Sequence, residues 1–166
     1  MASAFINHVT IVMFVGLLVW AAVSDFRTYL IPNSISVSVA VLYAAHVIAS
    51  PVPVDWLGAL LVAAIVLVIG FALFASRYVG GGDVKLLVAT SLWAGSAYGL
   101  AFVMLTTFIG GVLAMMTATH IRFFRPWPAA ALAPDEASAL KLRTSVPYGI
   151  AIALSGVWLA AETLLT

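Results

Sequence analysis

"RYVGGGDVKLL", residues 77–87, lies between two long apolar runs and joins three glycines to a carboxylate and an amine. Its position decides how the chain is divided. The 166 residues are 64% hydrophobic and only 8% charged, against about 25% charged in an ordinary soluble domain. A soluble fold of this length cannot hide so much apolar surface, so lipid is the expected solvent. Segment 77–87 then marks a membrane boundary where one span ends and the next begins. Working outward from it, hydropathy and turn residues give about six spans. They cover approximately residues 5–24, 34–50, 57–75, 84–98, 99–121 and 146–165. The expected fold is all-α, a single polytopic bundle over 1–166.

The connections differ in character. "DFRTYLIPN" follows the first span, "PVPVDW" the second and "SRYVGGGD" the third. The fourth and fifth spans are nearly continuous, so residues 96–99 must supply a tight turn. The segment 121–145 after the fifth mixes Pro, Ala and charge. Its "DEASALKLR" fits a solvated linker better than an amphipathic helix.

Charge tests this division independently. All seven Lys and Arg fall in alternate connections: Arg27, then Arg77 and Lys85, then Arg122, Arg125, Lys141 and Arg143. Short loops rich in Lys and Arg stay on the cytoplasmic side. Loops near 25–33, 76–85 and 121–145 are therefore expected inside, with both termini outside. Residues 1–24 hold no Lys or Arg, and their apolar run exceeds the 7–15 residues of a signal-peptide core, so a retained first helix is expected. With no cysteine, disulfides, thiolate metal sites and a Cys nucleophile are excluded. A net charge of +1 gives no reason to expect nucleic acid as a partner. His8, His46 and His120 show no metal-ligand spacing.

Among six acidic residues, Asp55, Asp135, Glu136 and Glu162 have ordinary surface readings. Asp25 and Asp83 differ. Asp25 closes the inward end of the first span and Asp83 opens the fourth from the same side, so both belong at one depth. Packing of those two helices would bring them together. Two carboxylates in a poorly solvated site cannot both ionise cheaply, so they share a proton. The ionised partner can then take a proton from water while the neutral partner polarises a carbonyl. Peptide hydrolysis is the natural chemistry for that pair. Taken alone, each Asp would more often be solvated by headgroups, and a glycine run is more often a turn or helix contact. The joint pattern carries the argument.

Gly80, Gly81 and Gly82 are expected to adopt backbone angles closed to other residues and to admit another chain. Asp83 at a helix start lies at the positive end of the helix dipole. In "IPN", Pro32 suits the first position of the second helix, and Asn33 is placed to cap it or to hydrogen-bond locally. Lys85 and Arg27 are most simply topology charges, though either could tune a neighbouring carboxylate, which would make Lys85 a site-shaping residue.

With these residues in view, the chain resembles the type IV prepilin peptidases, polytopic aspartyl proteases of the Gly-x-Gly-Asp class. "DFRTYLIPN" (25–33) looks like the family's Asp segment ending in Ile-Pro-Asn. "GGGDVKL" (80–86) matches Gly-x-Gly-Asp with its trailing Lys, and "VPYGIAIALSG" (146–156) is similar to a Pro-x-Gly stretch in the family's last helix. The resemblance implies that Asp25 and Asp83 are catalytic and that Gly80 and Gly82 shape the site, with Pro147 and Gly149 lining it. It implies no metal or organic cofactor. The implied substrate is a prepilin with an apolar helix and a basic leader, cut at the cytoplasmic face of the inner membrane. Membrane lipid and the pilus assembly machinery are the other expected neighbours. Larger members carry an N-terminal region with paired cysteines and methylate the new pilin end. Without cysteines, this chain is expected to lack that activity. Its compact form looks like the stand-alone peptidases of tight-adherence (Flp) pili, or like archaeal preflagellin peptidases.

Two other classes compete. A proton- or cation-coupled transporter subunit would also use intramembrane carboxylates, but wants charge near the midplane with access from both faces. A non-catalytic assembly protein would use the Asp residues for packing, which Asp→Asn should largely spare.

Overall fold

The computed structural model describes residues 2–50, 52–124 and 146–165. These form five helices as continuous elements: α1 (Ala2–Thr28), α2 (Asn33–Ala49), α3 (Trp56–Ala75), α4 (Gly81–Phe124) and α5 (Tyr148–Leu165). There is no strand among the described residues. Three stretches are long and apolar enough to cross a membrane: Phe5–Thr28, Trp56–Ala75 and Gly81–Thr117. α2 and α5 are apolar but shorter. Helices suit this solvent because each satisfies its own backbone groups where water cannot. Residues 125–145, most of the expected third inner loop and all of "DEASALKLR", lie outside the described residues.

Six spans were expected where five continuous elements are found, and the difference lies in α4. The expected turn at 96–99 is replaced by a break at one residue, Gly95, at φ 57° and ψ −165°. That conformation is open to glycine and strained for an L side chain. The chain folds back there. Val84 and Leu87 line the same pocket as Val103 and Thr106, whereas a straight helix would hold residues 84 and 106 roughly 33 Å apart. Gly99 serves packing instead: a Cβ on it would lie 2.7 Å from Val62 Cγ1.

α3 packs on α4, α4 on α5 and α2, and α1 on α5 and α2. The backbone of α1 therefore approaches α2 and α5 rather than α4, which it reaches through side chains. Phe14 stacks on Trp93 with ring centroids 4.2 Å apart and planes 9° from parallel. The buried Trp93 indole N–H donates to the Val39 carbonyl at 3.1 Å, so one side chain ties α1, α2 and α4 together. Many large apolar residues face outward, among them Phe5, Val12, Leu61, Val68, Phe71, Phe108 and Met115. Some buried hydroxyls are satisfied within their own helices, as Thr90 to the Leu86 carbonyl and Ser155 to the Ala151 carbonyl, whereas those of Ser36, Tyr43 and Thr106 have no hydrogen-bond partner.

Asp55 organises the end of the bundle where α3 begins. Its Oδ1 accepts the Gly58 N–H at 3.0 Å and its Oδ2 accepts the Ser96 hydroxyl at 2.6 Å. One carboxylate thus caps α3 and pins the chain just after the Gly95 break. The Ser96 hydroxyl, and secondly the Gly58 N–H, hold Asp55 below the ordinary 3.8. A depressed carboxylate contributes stability that is present above its unfolded value and lost as pH falls through the folded one. Asp55→Ala is expected to lower Tm in detergent at pH 7, and Asp55→Asn to lower it less, since Asn also caps. The gap between wild type and Asp55→Ala should close as the pH is taken below about 3.8.

Candidate active site

At the other end of α3 a cavity of about 470 Å³ opens, lined by Asp25, Tyr29, Phe74, Arg77, Tyr78, Val79, Gly80, Asp83, Val146 and Tyr148. Asp25 comes from the last turns of α1 and Asp83 from the first turn of α4. They are close enough for their charges to interact. Asp25 is 4% exposed.

Each carboxylate is held by the start of a helix. Gly149, in the first turn of α5, donates its N–H to Asp25 Oδ2 at 2.7 Å. This satisfies one of the orphan donors at a helix N-terminus and fixes the Asp25 side chain across 124 residues of sequence. For Asp83 the donor is local. The Gly80 carbonyl accepts the Val84 N–H at 3.1 Å, which makes Gly80 the cap of α4, and the Gly80 N–H donates back to the Asp83 carboxylate. That is the return arm of a capping box, with Asp in the place usually held by Glu.

The three glycines act by closeness and not by unusual backbone angles. Among the described residues Gly95 is the only glycine with positive φ, and Gly81 and Gly82 are already helical. The run is the cap and first turn of α4, which needs ordinary helical angles. A Cβ on Gly80 would lie 2.8 Å from Asp83 Oδ2, one on Gly81 3.2 Å from the Phe74 ring, and one on Gly82 3.4 Å from Ile31 Cβ. Ile31 belongs to the α1–α2 connection, so Gly82 is where the two motifs touch.

A second contact joins them. Lys85 Nζ donates to Asn33 Oδ1 at 2.9 Å. Asn33 is the first residue of α2 and does not cap it; Pro32 takes the cap position, with φ −58° and ψ 136°, and no side chain bonds there. Lys85 therefore locks the Ile-Pro-Asn segment to the Gly-Asp segment. Pro147 stands just before α5, where its carbonyl accepts the Ile150 N–H at 3.2 Å. Its neighbours Val146 and Tyr148 line the cavity.

The site holds residues that the sequence pattern did not single out. Tyr29, Arg77 and Tyr148 line the cavity. Beyond Asp83 and Tyr148, an apolar pocket of about 140 Å³ runs between α3, α4 and α5, past Gly70, Val84 and Ile152. Thr106 also lines it, and its buried hydroxyl has no hydrogen-bond partner. No local signal marks Thr106, which becomes a neighbour of Asp83 only after α4 folds back at Gly95. Among the described residues, no group of three or more His, Cys, Asp or Glu is placed to hold a metal ion.

A buried and a half-buried carboxylate sharing one cavity, each with one side engaged by a backbone N–H, can hold a water between them and act as base and acid in turn. Neither a curated protein nor a solved structure matches the chain. The model of the type IV leader peptidase family matches residues 12–115, a stretch that includes Asp25 and Asp83 and more than half of the chain, which therefore belongs to that family of peptidases.

Proposed function

We propose that this chain is a membrane-embedded aspartyl endopeptidase that removes the leader of type IV prepilins of the Flp type. The observation that carries the reading is the meeting of Asp25 and Asp83 in one cavity of about 470 Å³. In the proposed cycle the pair shares one proton. The ionised carboxylate removes a proton from water, and the resulting hydroxide adds to the scissile carbonyl, whose oxygen accepts a hydrogen bond from the protonated partner. The tetrahedral species collapses as the C–N bond breaks, and a carboxyl group returns a proton to the leaving amine. Base and acid exchange roles, so the titration belongs to the pair.

Orientation follows from charge. Arg27, Arg77 and Lys85 all flank the carboxylates, and Arg122, Arg125, Lys141 and Arg143 follow in the next connection. The positive-inside rule then assigns the cavity to the cytoplasmic face of the inner membrane. With the two halves of α4 counted separately the chain makes six crossings, and both termini lie outside. The substrate's apolar helix lies along the bundle in lipid, and the pocket beside Asp83 takes an apolar side chain next to the cut bond.

Purified protein in detergent, incubated with a Flp-type prepilin and separately with a preflagellin, tests this by the masses of the products. Release of the intact leader from the prepilin is expected. Cutting of preflagellin alone would move the substrate within the same family. Intact substrates after incubation in several detergents and lipids would overturn the peptidase assignment.

A further inference from the structure

Two residues in the described chain hold positive φ without being glycine: Tyr29 at 53° and Arg77 at 62°. Each stands just past the end of a helix. After α3, the Arg77 N–H donates to the Phe74 carbonyl at 2.9 Å and the Tyr78 N–H to the Leu73 carbonyl at 3.0 Å. This is the Schellman pattern, with Arg77 at the left-handed position that glycine usually fills. After α1, the Tyr29 N–H donates to the Asp25 carbonyl at 2.9 Å, and Tyr29 takes the same position. An L side chain is strained in that conformation, and glycine would close both helices with less strain. A cation near the C-terminus of α3 is electrostatically favourable, which accounts in part for Arg77. It does not account for a phenol at the end of α1. Both strained residues line the same cavity, the one that holds Asp25 and Asp83, and backbone outliers gather where a side chain is needed for function.

The occupant of that cavity, on the function proposed above, is a peptide bond presented to two carboxylates. A helical segment hides its backbone, so the substrate must be unwound at the cut. Its carbonyl oxygens there lose their helical partners at a depth where water is scarce. The aspartate pair offers at most one proton. Arg77 brings five N–H donors in a planar fork, and Tyr29 one hydroxyl. We propose that Tyr29 and Arg77 form a clamp that binds the main chain of the unwound substrate beside the scissile bond, by donating hydrogen bonds to its carbonyl oxygens. They are binding residues, and they recognise backbone, so their contribution is independent of the leader's sequence.

The inference rests on the peptidase reading, and the test separates the two. Asparagine tolerates the left-handed conformation, so Tyr29→Asn and Arg77→Asn remove the side chains while sparing the turns. Tyr29→Phe removes only the hydroxyl, and Arg77→Lys keeps the charge but loses the fork. Steady-state cleavage by full-length purified protein is measured for two prepilins with different leaders, together with Tm. Both Asn variants are expected to raise KM about fivefold or more for both leaders, by the loss of hydrogen bonds to a desolvated strand, with kcat within about twofold. Tyr29→Phe and Arg77→Lys are expected to fall between wild type and the Asn variants. Tm should stay within about 2 °C of wild type or rise. An unchanged KM in either Asn variant, with wild type active, overturns the clamp for that residue and leaves the peptidase standing. A fall in Tm that parallels the loss of activity assigns the residue to the fold and overturns it too. A KM effect confined to one leader overturns backbone recognition. If wild type cuts neither prepilin nor a preflagellin, the peptidase reading fails and the clamp with it.

Discussion

Asp25→Asn and Asp83→Asn are each expected to reduce kcat by about 10³- to 10⁴-fold, the range for removing a positioned acid–base group, with Tm nearly unchanged. Both halves of that expectation follow from the geometry. Asn has the shape of Asp, and its amide oxygen can still accept the Gly149 N–H that reaches Asp25 at 2.7 Å, or the Gly80 N–H at position 83. The helix starts thus keep their partners, and stability should shift by no more than about 1 kcal/mol. What the amide cannot do is exchange a proton with water or the leaving amine. A pure packing role for these residues would give the reverse: surviving function, or loss of function together with loss of fold. Cleavage kinetics and thermal melts on the same preparations separate the two.

Gly149→Ala is expected to be the most damaging change away from the carboxylates themselves. A Cβ there would sit 2.8 Å from Asp25 Oδ2, 2.9 Å from its Cβ and 3.0 Å from its Cγ. These are backbone-proximal atoms of a buried residue in α1, so Asp25 cannot swing aside as the end of a long side chain would. Relief requires α5 to withdraw, which breaks the hydrogen bond from the Gly149 N–H and displaces the carboxylate. Overpacking of this kind costs about 1–3 kcal/mol, and a shift of about 1 Å in a catalytic group costs roughly 10² in rate. Gly111→Ala is the control. Nothing lies within 4 Å of its added methyl, and replacing an exposed helical glycine should stabilise by about 0.5–1 kcal/mol with activity intact. Parallel measurement of kcat and Tm for the two alanine variants checks this, since both changes add the same methyl.

The residues that announce themselves in the sequence do so through contrast with an apolar background. Asp25 and Asp83 stand at span ends, and the positions of Lys and Arg put those ends on one side, so the meeting of the carboxylates is legible in the sequence. Their means of meeting was not. α1 and α4 do meet through side chains, as Phe14 on Trp93, but Asp25 is held by Gly149 of α5, a contact that no local pattern records. The run of three glycines suggests a loop and conformational freedom. It serves instead as the cap and first turn of a helix, and its lack of side chains leaves room for Ile31, Phe74 and the Asp83 carboxylate. Asn33 has the composition of a cap, but the Lys85 amine captures its side chain. The hairpin in α4 is expected at 96–99 because the fourth and fifth spans are nearly continuous there; Gly95 makes the break and Gly99 faces Val62. Asp55 looked like an ordinary surface acid, since nothing local says that Ser96 returns to it. Tyr29 and Arg77 were silent for a related reason. Glycine is the usual sign of a left-handed helix end, and neither end carries one.

The most direct test of the paired-carboxylate claim is the rate of prepilin cleavage by four purified proteins side by side: wild type, Asp25→Asn, Asp83→Asn and the double variant. Groups that act as one unit are not additive when removed. The account predicts that wild type cleaves, that each single variant loses about 10³-fold or more, and that the double variant is no slower than the worse single. Undiminished cleavage by either single variant, or losses that multiply in the double, would contradict a shared catalytic pair.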